Sequence, residues 1–166
     1  DGARSVADLS LEELMNIQVV SGSKKLQRIA DSASAVFVIT AEDIRRSGAT
    51  AIPEALRMAP GVEVARFGSN KWSVSIRGSN GRFANKLLVL MDGRTLYSPL
   101  FAGVLWETHD VLMEDIERIE VIRGPGAALW GANAVNGVIN IITKEAGETP
   151  GGLVDLAIGD GGRRML

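Results

Sequence analysis

The sequence predicts an α+β domain built from short strands and short helices, and three observations carry that reading. Apolar or alternating runs of strand length recur, among them Val36–Ile39, Leu87–Met91, Glu117–Ile122 and Val138–Ile142. Two stretches after the first of these carry helix start and stop signals instead. Paired breakers punctuate the runs: Pro60-Gly61, Asp92-Gly93 and Gly124-Pro125.

Taken in order, Ser10-Leu11-Glu12-Glu13 reads as a capping box opening a short helix. Val19-Val20-Ser21-Gly22-Ser23-Lys24-Lys25 then reads as an extended, polar and flexible arm. After the strand Val36–Ile39, Thr40 caps a helix with Glu42 and Asp43 in its first turn, and Gly48 stops it. Thr50 is the candidate cap of a second helix, with Pro53 in the first turn, where a missing N–H costs little. Val62–Arg66 and Ser73–Arg77 alternate and read as strands around the loop Gly68–Lys71. Asp92-Gly93 is a hairpin turn, because both central positions favour positive φ, and Arg94 to Tyr97 returns from it. Residues 98–115 read as loop with short helical turns, and Ala127–Trp130 as one helical turn. Glu148–Gly152 is a linker, and Leu153–Ile158 alternates again. That last pattern fits the opening of an outer-membrane barrel and a soluble hairpin equally.

The 166 residues suffice for one domain with a sizeable core. A net charge of −2 offers no basic excess for nucleic acid or an anionic membrane surface. With no cysteine, disulfides, thiolate metal sites and cysteine nucleophiles are excluded. No apolar run reaches the roughly 18 residues of a membrane helix. The chain opens at Asp1 without a basic, apolar leader, so any export signal is expected to have been removed or left out.

The residues offer little to catalysis. His109 lies beside Asp110, but no activated nucleophile stands nearby, and adjacent residues seldom face each other. One histidine and no cysteine leave only carboxylates for a metal. Glu117 and Glu120 share a strand in different side-chain phases, and read as solvent-facing or paired with arginines. Arg77-Gly78-Ser79-Asn80-Gly81 follows a strand but lacks the phosphate-loop spacing, and Gly124-Pro125-Gly126 puts proline where an N–H donor is needed.

Ordered local motifs point elsewhere. These are Val38–Ile44, Ile52–Leu56 with Pro60-Gly61-Val62, Ile76-Arg77-Gly78, Leu90–Gly93, Ile116–Pro125, Trp130-Gly131 and Asn136–Lys144. Together the chain resembles the plug domain of TonB-dependent outer-membrane receptors over roughly residues 24–145. The resemblance implies a small globular plug with a mixed four-stranded sheet and short helices, inside a 22-stranded C-terminal barrel that is mostly absent from this sequence. It divides the chain into an arm (1–23), a plug (24–147), and a linker with the start of a first barrel strand (148–166). It implies a gate in the outer membrane with no enzymatic activity and no cofactor. Its partners would be its own barrel, a small-molecule metal chelate such as a ferric siderophore, and TonB of the inner-membrane energising complex. The other reading is a free-standing periplasmic module that uses the plug fold without a barrel.

The resemblance also assigns residues. The TonB-binding segment is Ile17, Gln18, Val19, Val20, Ser21 and Gly22, with Ser-Gly where the family more often has Thr-Ala. It would bind by adding a strand to the partner's sheet edge. Arg77 and Arg123 would lock the plug against barrel glutamates; the alternative is a pair within the domain, such as Arg123 with Glu120. Ligand contacts would come from Arg66, Lys71, Trp72, Arg82, Phe83 and Tyr97, cations beside exposed aromatics. A domain shaped to face a barrel wall has unpaired strand edges when alone. The isolated chain is therefore expected to self-associate through its strands, and a strict monomer at high concentration in analytical ultracentrifugation would count against this.

Overall fold

The computed structural model describes residues 18–20, 26–28, 35–78, 86–109, 111–124, 130, 133–149, 151–154, 157–158 and 164–165. β1 (Gln18–Val20) and β2 (Leu26–Arg28) form an antiparallel ribbon. β3 (Ala35–Thr40) leads into the helices α1 (Ala41–Ser47) and α2 (Ile52–Leu56). β4 (Val62–Arg66) pairs antiparallel with β5 (Trp72–Ile76). β6 (Leu87–Met91) turns into β7 (Arg94–Thr95), and β8 (Tyr97–Ser98) pairs with β9 (Gly103–Val104). Two 3₁₀ turns, Trp106–Thr108 and Met113–Asp115, precede the long strands β10 (Ile116–Arg123) and β11 (Gly137–Thr143). After a third such turn at Ala146–Glu148, β12 (Ala157–Ile158) and β13 (Arg164–Met165) form a small antiparallel pair.

The main sheet has the order β3-β10-β11-β6-β7 and is mixed: β11 and β6 are parallel, the other neighbours antiparallel. The expected four-stranded mixed sheet is its body, and the two-residue β7 adds a fifth strand through the Asp92-Gly93 turn. Both turn residues have the positive φ read from their identity, 48° and 77°. The Asp92 carboxylate also accepts from the Thr143 N–H at 2.9 Å and from its hydroxyl at 3.0 Å, tying the turn to the end of β11.

The helix signals hold in α1 and shift in α2. Thr40 Oγ1 accepts from the Asp43 N–H at 3.2 Å while Asp43 accepts from the Thr40 N–H at 3.0 Å, a reciprocal cap. Gly48 closes α1 in the left-handed conformation. The cap of α2 is Ala51, not Thr50, and no side chain caps it. Thr50 instead donates its N–H and hydroxyl to Glu54 Oε2, at 2.9 and 3.0 Å. The capping box at Ser10–Glu13 and the turn at Ala127–Leu129 lie outside the described residues.

The sheet is buried on both faces, and strand alternation explains how. On one face Ile39, Ile119, Val121, Ile139, Ile141, Val89 and Met91 meet Ile44, Leu56, Trp72, Val74 and Ile76 from α1, α2 and β5. On the other, Leu88, Leu90, Ile122 and Val138 pack with Ala134, Val36 and Trp130. The register places Val36, Ile122, Val138 and Leu88 side by side across four strands.

Gly137 opens β11 where the first of these layers closes onto the sheet. A Cβ there would stand 2.6 Å from the Ile122 carbonyl oxygen and 3.0 Å from Ile76 Cδ1. The first contact is with backbone of the neighbouring strand, so no side-chain rotation relieves it. Gly137→Ala is expected to lower stability by about 2 kcal/mol or more through forced strand separation. Urea denaturation checks this; an unchanged midpoint would contradict the close approach.

Candidate functional site

β10 carries charge into the sheet. Glu120 is completely buried, on the face opposite Ile119 and Val121. Its Oε1 accepts from Arg118 Nε at 2.9 Å, and its Oε2 from Asn140 Nδ2 at 3.2 Å. Asn140 is its register partner on β11, so this contact links the two long strands. Arg118 also pairs with Glu117. The register shift between Ile116 and Arg118 explains how both glutamates reach one arginine despite their phases. Of the two alternatives read for Glu117 and Glu120, pairing with arginine is the one realised, and Glu120 is not solvent-facing.

Arg77 and Arg123 sit at the same end of the fold. Arg123 ends β10 opposite Gly137, and Ile76, the residue before Arg77, touches the Gly137 position. Arg77 is exposed and adopts a left-handed φ of 58°. Arg123 is half-buried; its Nη1 donates to the Pro60 carbonyl at 3.3 Å, and its Nε is buried without a hydrogen-bond partner. The suggested pair of Arg123 with Glu120 does not form. Three residues apart on a strand, the two side chains lie on opposite faces.

The candidate ligand residues divide. Trp72 is buried in the core, only 6% exposed, so it is not the exposed aromatic the sequence suggested. Its ring lies under two guanidinium groups, Arg66 at 4.9 Å and Arg57 at 5.7 Å. Arg66 also donates to the carbonyls of Gly68, at 3.1 Å, and Ser69, and stands 3.8 Å from Glu54. It therefore fixes the β4–β5 loop from within. Lys71 is exposed on that loop and Tyr97 is half-buried in β8. Arg82 and Phe83 lie outside the described residues. Sequence reasoning passed over the aromatic and aliphatic side chains that do reach solvent: Phe67 on the same loop, and Leu100 and Phe101 at the β8–β9 tip. The available signal was phase, since Trp72 alternates with the buried Val74 and Ile76 while Phe67 lies just beyond β4.

Of the arm segment, Gln18, Val19 and Val20 are described, and all three are paired with β2: Gln18 with Arg28, Val19 with Gln27, Val20 with Leu26. These three residues are extended, but within a ribbon. Ile17, Ser21 and Gly22 lie outside the described residues. His109 follows the 3₁₀ turn at Trp106–Thr108, where its N–H donates to the Trp106 carbonyl at 3.2 Å. Among the described residues no group of three or more His, Asp or Glu is placed to hold a metal ion.

A mixed sheet buried on both faces, with a two-stranded ribbon before it in the chain and short helices on one side, defines an α+β domain. Residues 28–138 match the TonB-dependent receptor plug domain, and the chain belongs to that family. It is 36% identical over 143 residues to a vitamin B12 transporter, BtuB, of Vibrio vulnificus, covering 85% of this chain and 23% of that one. It is 36% identical over 166 residues to the ferric enterobactin receptor of Pseudomonas aeruginosa, covering 91% and 21%. The fold matches P. aeruginosa FpvA bound to heterologous pyoverdines, with a TM-score of 0.60 at 20% identity over 77% of this chain and 16% of that one. The chain thus spans about a fifth to a quarter of the length of these curated relatives. They are named as a transporter and a receptor, not as enzymes.

The buried carboxylate generates a stability prediction. Glu120→Ala is expected to cost about 3 kcal/mol, because it strands Asn140 and half of Arg118's pairing inside the sheet. Glu120→Gln keeps the hydrogen-bonding shape and is expected to cost less. Equal, small losses for both in urea denaturation would mean that the network contributes little.

Proposed function

We propose that this chain is the gate of a TonB-dependent active transporter in the outer membrane, occluding the barrel and taking part in uptake of a metal chelate. Family membership over residues 28–138 carries the reading. Vitamin B12 and ferric enterobactin, in the names of two relatives, are both organic molecules holding a metal ion, which favours a chelate such as a ferric siderophore. The gate does no chemistry of its own. Energy for its rearrangement comes from the inner membrane through TonB, which takes hold of the arm at Ile17 to Gly22, with Val19 and Val20 supplying the β-branched positions suited to strand addition.

Arg77 and Arg123 then serve to hold the gate closed. Their placement at one end supports a shared contact with barrel carboxylates. Arg77, exposed, is the more available of the two, while Arg123 is half-buried and already donates from Nη1 to the Pro60 carbonyl. A carboxylate from a surrounding wall would satisfy both charge and geometry. Losing one partner of such a buried pair costs on the order of 3–5 kcal/mol, enough to hold a gate against thermal opening. Lys71, Tyr97, Arg82 and Phe83 remain candidates for ligand contact, with Arg66 and Trp72 shaping the β4–β5 loop.

In the full-length receptor, Arg77→Glu is expected to raise passive entry of small antibiotics into cells, and the double change with Arg123→Glu to raise it further. Arg77→Glu is the cleaner variant, because Arg123 also supports Pro60 within the domain. Unaltered permeability of the double variant would remove the lock.

A further inference from the structure

The arm segment assigned to the energising partner is not a lone extended chain. Gln18, Val19 and Val20 are held by three register pairs to Leu26, Gln27 and Arg28. This ribbon belongs to no other sheet, and among the described residues nothing pairs with the outer edge of either strand.

A two-stranded ribbon is marginal in water and gains most from a third strand. The incoming strand then meets an edge already straightened and in register, so less ordering remains to be done on binding. The two outer edges are not equivalent. β1 offers Gln18, Val19 and Val20, uncharged and β-branched at two positions, whereas β2 ends on Arg28. Charged residues on a strand discourage further pairing at its edge, and an uncharged edge invites it.

We propose that the whole ribbon is the docking element, and that the energising partner adds its strand to the outer edge of β1 while β2 holds β1 in shape without touching the partner. This rests on the coupling role proposed above for Ile17 to Gly22. It makes Leu26, Gln27 and Arg28 positioning residues for an interaction in which they take no direct part. A simple extended box would make them irrelevant, and a competing β2 would make them inhibitory, so three behaviours are separable.

The test uses this chain with the purified periplasmic domain of TonB, followed by isothermal titration calorimetry. Gln27→Pro removes a backbone donor and the extended conformation at the centre of β2. A triple variant, Leu26→Gly, Gln27→Gly and Arg28→Gly, loosens the same strand without proline. Both are expected to weaken binding about ten-fold with the melting temperature of the main domain unchanged, since they act only on the ordering of β1. Val19→Pro, in β1 itself, is expected to abolish binding. Wild-type affinity in both β2 variants would overturn the proposal and leave β1 sufficient alone. Tighter binding in them would also overturn it, marking β2 as a competitor. No binding by the wild-type chain, or full binding by Val19→Pro, would instead defeat the coupling role, and the ribbon proposal with it.

Discussion

The pairing of β10 with β11 is the interaction on which the rest of the domain depends. These are the two longest strands, and they run antiparallel in the middle of the main sheet. β3 joins one side of the pair and β6 the other. Burial on both faces means that side chains along them have to fit a layer, and that a buried polar group costs stability unless it finds a partner. Gly137 shows the steric form of this constraint. Its missing side chain lets β11 begin against the Ile122 carbonyl and lets Ile76 close the layer above. Glu120 shows the electrostatic form. A carboxylate with no exposure is held by Arg118 and by the side chain directly across on Asn140. Replacing all three with apolar groups of similar volume would by general physics be tolerated or even stabilising. What the polar trio adds is register, because a slip by one residue would separate Glu120 from Asn140 and leave them on opposite faces of the sheet.

Much of this was legible in the chain, for identifiable reasons. The cap at Thr40, the stop at Gly48 and the Asp92-Gly93 hairpin depend on interactions only a few residues apart, which local sequence specifies. The strands β4, β6, β10 and β11 announce themselves through period two or continuous apolarity. What escaped the sequence depends on partners distant along the chain. Thr50 is the local exception: its type suits a cap, yet Glu54 four residues on captures its hydroxyl and the cap falls to Ala51. The burial of Glu120 required knowing that Asn140, 20 residues away, lies across from it. The shared hold of Arg118 on Glu117 and Glu120 required the bulge, which a strict alternation pattern conceals.

The site residues divide along the same line. In the sequence Trp72 reads as an exposed ring because it stands at a loop edge among cations. The cations are indeed beside it, but they stack on a ring that belongs to the core, and the polar work of Arg66 is turned inward onto Gly68 and Ser69. The alternation of Trp72 with Val74 and Ile76 was the better guide than its neighbours' charge. For Arg77 and Arg123 the motif alone placed both at strand ends. The fold adds that these are ends of different sheets brought together over Gly137, which no spacing of 46 residues in the chain could convey.

The separation of sheets bears on how such a domain could be worked mechanically. Among the described residues, the arm ribbon and the main sheet share no ladder hydrogen bonds. Three register pairs hold the ribbon, whereas β10 has partners along most of its length on both sides. An event at β1, whether strand addition or traction, therefore disturbs three described register pairs of the ribbon and none of the main sheet's ladder before it reaches β3. β3 is itself an edge strand of the main sheet, with β10 as its single ladder partner among the described residues. β11, by contrast, is paired on both sides, and its end is tied by Thr143 to Asp92 and by Lys144 to Asp115 and Glu114. The order of the strands thus gives the chain a weakly held entrance and a firmly held exit. A domain that yields at one end while staying attached at the other needs that asymmetry, and here it follows from the order of the described strands.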